Sequence, residues 1–146
     1  MQRIILCDID GTLANVVHRI HLVTGEEKNW DEFNSLCQSD RVKENIANIL
    51  RQFVGDHETT IAIVTARENK WRKETEEWLH LNDIPYDDLH MRPIGDKRSD
   101  AIIKEEIFKK NYGKENVWFV LEDRSKVVKM WRKLGLTCLQ VAEGDF

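Results

Sequence analysis

The chain has 146 residues, a length that favours one domain and excludes two fused enzymes. Its 22 basic and 26 acidic side chains give a formal net charge of −4, which argues against a protein held to nucleic acid by overall charge. A polyanion would have to be bound by a local basic cluster. Three widely spaced cysteines fit neither a disulfide framework nor a zinc pattern, which predicts a reducing, cytoplasmic location.

Short apolar runs predict a sheet of parallel strands. The first run, residues 4–7, is wholly apolar and ends at a polar turn, which is typical of a buried central strand. It is far too short for a signal sequence or a membrane-spanning helix, so no membrane association is expected. Further apolar runs lie at residues 60–64, 89–91, 117–121 and 137–141.

Helical patterns alternate with these strands from residue 60 onward. Apolar residues recur at helical spacing in residues 69–81, 99–112 and 125–134, and a Gly or a Pro-containing turn follows each segment. Alternation of strand and helix predicts an α/β fold in which helices cover both faces of a parallel sheet.

Residues 15–58 differ, because only helical signals follow the first strand. One short helix is predicted at residues 30–37, and a second is predicted behind Asp40 as its N-cap. The part before about residue 39 is expected to be a helical insertion that covers the crevice in which open α/β sheets bind ligands. We therefore expect a single domain, residues 1–146, with a small helical cap inside the insertion.

Two aspartates, Asp8 and Asp10, directly follow the first strand in the sequence Asp-Ile-Asp-Gly-Thr. Residues two apart in an extended segment point the same way, so the two carboxylates can converge. Two ionised carboxylates at close range need a cation or a shared proton, which indicates a metal site or an acid/base couple. The alternative is an ordinary turn or helix-capping loop, because Asp, Gly and Thr are common in turns.

Two other predicted strands also end in polar side chains. The strand predicted at residues 60–64 is followed by a hydroxyl, backbone amides and a guanidinium, which suit a phosphate. The strand predicted at residues 117–121 is followed by an acidic pair, which suits a hard cation. Each cluster alone is compatible with a helix cap or a solvated side chain, but three polar clusters at three strand ends indicate a functional site. The residues concerned are Thr65, Ala66, Arg67, Glu122 and Asp123.

Together with Lys104, in the helix predicted from about residue 99, these strand ends resemble the four motifs of the haloacid dehalogenase (HAD) superfamily of phosphotransferases. The resemblance implies a HAD-like, Rossmannoid three-layer sandwich with a central parallel sheet and a small helical cap inserted after the first strand.

A closer resemblance is carried by the sequence Met-Arg-Pro-Ile-Gly-Asp-Lys-Arg-Ser-Asp at residues 91–100 and by the tail at residues 122–146. Both are similar to the 3′-phosphatase domain of bacteriophage polynucleotide kinase. The similarity covers about residues 3–14 and 60–146, and its motifs are specific because their order and spacing agree with one family.

This resemblance implies a Mg²⁺-dependent phosphatase that works through an aspartyl-phosphate. Asp8 would be the nucleophile and a metal ligand. Asp10 would transfer protons, while its main-chain carbonyl binds the metal. Asp123 would complete the metal site, and Glu122, which stands where the bacteriophage proteins have aspartate, is a further metal candidate.

The resemblance also implies a set of side chains around the substrate phosphate. Thr65 and Lys104 would bind the phosphoryl oxygens as catalytic residues. The remaining candidates are Ala66, Arg67 and Arg92 as substrate contacts, and Asp96 and Asp100 as residues that orient Lys104, Arg92 or Arg98.

The implied substrates are 3′-phosphorylated DNA or RNA ends, or 3′-nucleotides. The chain has no Gly-x-x-x-x-Gly-Lys-Ser/Thr phosphate loop, so no kinase activity is expected of it. A nucleotidase or small-molecule phosphatase is one alternative, since the fold does not fix the leaving group. Another is an inactive module that presents a basic surface to a protein partner, formed by Lys97, Arg98, Lys109 and Lys110.

Overall fold

A parallel sheet of five strands organises the protein, in a computed structural model that describes residues 2–146. The spatial order is β5-β4-β1-β6-β7, and a separate antiparallel pair is formed by β2 and β3. The strands are β1 (Arg3–Cys7), β2 (Ala14–Asn15), β3 (Arg41–Val42), β4 (Thr59–Glu68), β5 (Asp88–Arg92), β6 (Val117–Glu122) and β7 (Cys138–Gln140).

Helices cover both faces of this sheet. They are α1 (Trp30–Ser35), α2 (Glu44–Arg51), α3 (Arg72–Leu81), α4 (Asp100–Asn111) and α5 (Ser125–Lys133). The longest is α4 with 12 residues, and within residues 2–146 no helix has the length and apolar character needed to cross a membrane.

The core divides into two apolar layers, one on each side of the sheet. In β1, Ile5 and Cys7 pack on the side of α2 and α3, while Ile4 and Leu6 pack on the side of α4 and α5. This alternation follows from the two-residue period of a strand. Because both faces are buried, the strand contains no polar residue between Ile4 and Cys7. The predicted three-layer HAD-like α/β fold is confirmed.

The segment between β1 and α2 is an excursion closed at its base by two short strands. Ala14 pairs with Val42 and Asn15 pairs with Arg41, so residues 16–40 leave and return at adjacent points. The expectation of helices alone in this segment was therefore incomplete. Two-residue strands are too short to show the alternation by which a strand is recognised in a sequence.

Asp40 does not cap a helix, and that prediction was wrong. Helix α2 begins at Glu44 without a side-chain cap, because the intervening residues are used by β3. Asp40 is instead buried, and its carboxylate accepts hydrogen bonds from Arg19 Nε at 2.8 Å and Nη2 at 2.6 Å. Its main-chain carbonyl accepts from the indole of Trp78 at 2.9 Å.

The strand order fixes where a ligand can bind. The chain runs from β1 to β4 and β5 on one side and then crosses through α4 to β6 and β7 on the other. At such a change of direction, the loops at the carboxyl ends of neighbouring strands diverge and leave a crevice. The polar residues that follow β1 and β6 lie at this crevice.

Candidate active site

A cavity of about 360 Å³ lies at the carboxyl ends of the central strands. The body of the fold supplies one wall and the excursion at residues 16–40 supplies another. Charged side chains from the body include Asp8, Asp10, Lys104, Asp123 and Arg124. The excursion contributes Lys28, Trp30, Phe33 and Asn34.

Asp8 lies at the centre of a buried network of charged side chains. Lys104, from α4, places its Nζ 2.7 Å from Asp8 Oδ1 and 2.7 Å from Glu122 Oε2. The hydroxyl of Thr12 lies 3.0 Å from Asp8 Oδ2 and 3.2 Å from Asp123 Oδ1. All five residues are less than 10% exposed. The ends of β1 and β6 and the first turns of α4 thus meet in one cluster.

This cluster holds more negative than positive charge. One oxygen each from Asp8, Glu122 and Asp123 lies within 4.8 Å of the other two. Burial, and then the charge of Asp8, raise the pKa of Glu122 and of Asp123. Burial lowers the pKa of Lys104, but the adjacent Asp8 and Glu122 raise it by more, so the ammonium is retained. Three carboxylates with one ammonium fit a hard divalent cation.

Asp10 has separate partners, so the two motif carboxylates do not share a contact. Arg67 donates from Nη2 to Asp10 Oδ1 at 2.6 Å and from Nε to Oδ2 at 3.1 Å. Arg19 donates from Nη2 to Oδ1 at 2.5 Å. Burial raises the pKa of Asp10, but the two guanidinium groups outweigh it and hold that pKa well below its ordinary value. Asp10 is an ionised carboxylate in this arrangement.

Arg19 is the main residue of the site that the sequence analysis missed. It is fully buried, lies over the ring of Phe33 at 4.0 Å and donates to the Phe33 carbonyl at 2.9 Å. It therefore connects the excursion to Asp10 through one side chain. The available signal was a charged residue on an apolar stripe, because Val16 and Val23, three residues before and four after it, are buried.

The residues predicted at the end of β4 are placed differently from one another. Ala66 and Arg67 line the cavity. Thr65 is fully buried behind them, and its hydroxyl accepts a hydrogen bond from the Arg67 backbone N–H at 3.2 Å. The pairing of β4 with β5 is irregular between Val64 and Glu68, which lets this segment turn toward the cavity. The binding of phosphate by these three residues stays a prediction.

Arg92 holds together the loop that follows β5. Its guanidinium donates to the carbonyls of Ala66, Asp96 and Arg98 and, at 2.6 Å, to Asp100 Oδ1. Asp100 also pairs with Arg124. The predicted contact between Asp100 and Arg92 is therefore present, whereas Lys104 is oriented by Asp8 and Glu122. Arg92 lines the cavity, and its contact with a substrate phosphate stays a prediction.

Asp96 and Arg98 form a more exposed pair on the same loop. Arg98 Nη2 lies 2.7 Å from Asp96 Oδ2, and the guanidinium also pairs with Glu106 on α4. These contacts fasten the loop to α4. They do not reach the carboxylate cluster.

The family of the chain follows from comparison with known proteins. The sequence model of the polynucleotide kinase PNKP phosphatase domain, a HAD-type domain, matches residues 2–146. The chain belongs to this phosphatase family. The resemblance found in the sequence is thereby confirmed, and it extends across residues 15–58 as well.

Relatives of this phosphatase domain are parts of longer proteins. A bifunctional polynucleotide kinase/RNA ligase of Autographa californica nuclear polyhedrosis virus is 30% identical over 135 residues, which are 90% of this chain and 18% of the viral protein. Two solved structures of the Pnkp1/Rnl/Hen1 complex contain chains that are 35% and 36% identical, with TM-scores of 0.84 and 0.83. This chain is covered in full, and it spans 48% and 44% of theirs.

The fold extends to more distant hydrolases. A HAD-like hydrolase of Streptococcus pneumoniae is 12% identical, with a TM-score of 0.64 over 95% of this chain and 84% of its own. At that identity the similarity concerns the fold alone.

Gly11 allows the phosphatase domain to bring Asp123 against the first motif. Its φ is +86°, and a Cβ at this position would lie 2.1 Å from Asp123 Oδ2. Gly11→Ala is expected to lower the free energy of unfolding by about 1–2 kcal/mol for the left-handed backbone and by about 1–3 kcal/mol for the clash. It should also weaken the stabilisation expected from an added divalent cation such as Mg²⁺, because Asp123, one of the three clustered carboxylates, must move. Urea denaturation with and without Mg²⁺ measures both effects.

Gly55→Ala is the matched control for this prediction. Gly55 has a φ of +85°, but nothing lies within 4 Å of its Cβ position. Only the backbone cost is expected there, with normal stabilisation by Mg²⁺. Equal effects of the two substitutions would show that Gly11 has no special contact with Asp123.

Proposed function

We propose that this phosphatase domain is a Mg²⁺-dependent phosphomonoesterase that removes 3′-phosphates from DNA or RNA ends, through an aspartyl-phosphate on Asp8. The observation that carries the proposal is the environment of Asp8. Its carboxylate opens onto the cavity between the ammonium of Lys104 and the carboxylate of Asp123, and both of its oxygens have hydrogen-bond partners. A carboxylate oriented in this way suits in-line attack on phosphorus.

The first half of the reaction forms a bond between an Asp8 oxygen and phosphorus and breaks the ester bond to the 3′ oxygen. Asp10, which is ionised before substrate binds, would take up a proton when the negative charge of the phosphate enters beside it, and would give that proton to the leaving oxygen. Arg19 and Arg67 would stabilise the carboxylate that results, since both contact Asp10 as an ionised group. In the second half, a bond forms between a water oxygen and phosphorus while the bond from Asp8 to phosphorus breaks. Asp10 would take a proton from that water and release it to solvent when phosphate leaves.

Asp8, Asp123 and the main-chain carbonyl of Asp10 are the proposed ligands of Mg²⁺, with Glu122 beside them. Mg²⁺ would supply positive charge to offset the negative charge of the phosphoryl oxygens. Lys104 would add a second positive charge, and Glu122 positions it through the 2.7 Å contact with Nζ. Thr65, Ala66, Arg67 and Arg92 are the proposed neighbours of the phosphate.

Residues 16–40 are proposed as the cap of this site. Trp30 and Phe33 from this segment line the cavity, and Lys70, which precedes α3, reaches the cap residue Asp31 at 2.6 Å. A cap in this position would exclude bulk water from the phosphoryl oxygens. One relative is a polynucleotide kinase/RNA ligase, and another belongs to an RNA repair complex. Both support polynucleotide ends as the substrate.

Phosphate release from a matched set of substrates tests the proposal. The set consists of one oligonucleotide with a 3′-phosphate, the same oligonucleotide with a 5′-phosphate, and the 3′- and 5′-mononucleotides, each with Mg²⁺ and with a chelator. We expect the highest kcat/KM for the 3′-phosphorylated oligonucleotide and no release with the chelator. A preference for mononucleotides would favour a nucleotidase, and no release from any substrate would favour an inactive interaction module.

A further inference from the structure

Trp30 is an exposed aromatic side chain in the wall of the cavity. It is 37% exposed, whereas Trp78 and Trp131 are almost fully buried in the core. The ring is held edge-to-face against Phe33, with centroids 5.5 Å apart and an angle of 85° between the planes. A large apolar surface left open at a ligand cavity indicates a contact with the ligand.

The position of Trp30 is fixed from both sides of the cavity. At the start of α1, the side chain of Asn29 accepts a hydrogen bond from the Glu32 backbone N–H at 3.0 Å and so caps the helix that carries the ring. The Arg124 guanidinium, which pairs with Asp100, lies over the Trp30 ring at 5.7 Å from its centroid, so a base on that face would contact this cation as well. Trp30 and Arg124 line the same cavity as Asp8, Glu122 and Asp123.

We propose that Trp30 is a stacking platform for the base of the terminal nucleotide, and that it makes the enzyme select nucleic-acid ends over simple phosphate esters. This inference rests on the function proposed above. A base presents a flat π-face whatever its identity, so an aromatic platform binds an unpaired end without reading its sequence. A cavity of about 360 Å³ is at the small end of ligand pockets, and it suits one terminal nucleotide of a single strand.

Charges at the rim of the cavity agree with this occupant. Lys28, Lys97 and Lys126 all line the cavity and are exposed, and Lys28 Nζ lies 5.9 Å from the Trp30 centroid. Such a group is the local basic cluster that a chain of net charge −4 needs to bind a polyanion. The phosphates preceding the terminal nucleotide would lie among these lysines.

An abasic substrate separates the platform from the phosphate chemistry. Trp30→Ala and Trp30→Phe are compared with the unsubstituted enzyme on a single-stranded 3′-phosphorylated oligonucleotide and on the same oligonucleotide with a tetrahydrofuran residue, which lacks a base, at its 3′ end. For the base-bearing substrate, Trp30→Ala should lower kcat/KM roughly 5- to 150-fold, the equivalent of ~1–3 kcal/mol for stacking a base on a ring. Trp30→Phe should retain most of the activity, and the abasic substrate should show less than a twofold change.

Trp118→Ala is the matched control. Trp118 is 44% exposed and lies near the start of β6, at the end of the sheet away from the cavity. It should leave kcat/KM unchanged on both substrates. Equal losses for Trp30→Ala on the two substrates, or no loss on either, would overturn the platform while the proposed function stands. No phosphate release by the unsubstituted enzyme from either substrate would overturn the proposed function itself.

Discussion

Asp8→Asn is expected to abolish phosphate release while the domain stays folded. The amide cannot form the acyl-phosphate, so kcat/KM should fall by roughly 10⁴-fold or more. Stability should be retained, because Lys104 keeps its contact with Glu122 and the amide oxygen can still accept its hydrogen bond. The substitution also removes one of three neighbouring buried carboxylates, which relieves their repulsion. Phosphate release and thermal unfolding of the same preparation measure both properties.

Asp56→Asn is the control for that experiment. Asp56 pairs with Arg3 ahead of β4, at the far end of the sheet, and its loss should leave the phosphatase reaction unchanged. Asp8→Asn activity within tenfold of the unsubstituted enzyme, after removal of contaminating phosphatases, would exclude Asp8 as the nucleophile. An unfolded Asp8→Asn protein would contradict the expected tolerance of the cluster.

Lys104→Met should damage both stability and activity, because it leaves two buried carboxylates without their cation. Lys104 is 2% exposed and contacts Asp8 and Glu122 at 2.7 Å each. Removal of one partner from a buried ion pair costs about 3–5 kcal/mol. Loss of the positive charge that is proposed to lie next to the phosphoryl group should lower kcat by about 10²- to 10³-fold. Urea denaturation and initial rates with the 3′-phosphorylated oligonucleotide measure the two losses.

Two further variants separate these effects. Lys109 lies on the same helix as Lys104, and its side chain is 62% exposed. Lys109→Met should therefore change the free energy of unfolding by no more than about 0.5 kcal/mol. The double variant Lys104→Met with Glu122→Gln removes one of the unpaired carboxylates, so it should regain part of the lost stability and none of the activity. If Lys104→Met behaves like Lys109→Met in both measurements, Lys104 contributes neither to stability through its ion pairs nor to the reaction.

The sheet and much of the site were predictable because their signals are local. A strand buried on both faces is a continuous apolar run, so β1 and β6 were recognised from the sequence. Parallel strands end at one edge of the sheet, so polar residues after these runs had to lie near each other. The resemblance to the HAD motifs then implied that Asp8 and Asp123 share one metal site, and their oxygens are neighbours in one cluster.

The parts that were missed depend on contacts between distant residues. Asp40 has the sequence context of a helix N-cap, and only the fold brings it to Arg19 in the interior. The carbonyl partners of Arg92 were also not foreseen, since an arginine in a sequence gives no indication of which main-chain groups it will contact. Its hydrogen bonds to three carbonyls depend on the path of the loop from Pro93 to Ser99, which the sequence pattern does not specify.

The two-strand closure of the cap has a consequence for how such domains can be exchanged and diversified. Residues 16–40 begin and end at neighbouring positions of the β2–β3 pair. A segment of another length can therefore replace them without changing the path of β1 or α2. The entropy of loop closure changes by only about 0.6 kcal/mol for each doubling of length. The replacement would have to supply an arginine that reaches Asp10, as Arg19 does, and an aromatic ring at the cavity in the place of Trp30. The excursion is thus a module that is free in length and tied to the site through these two side chains.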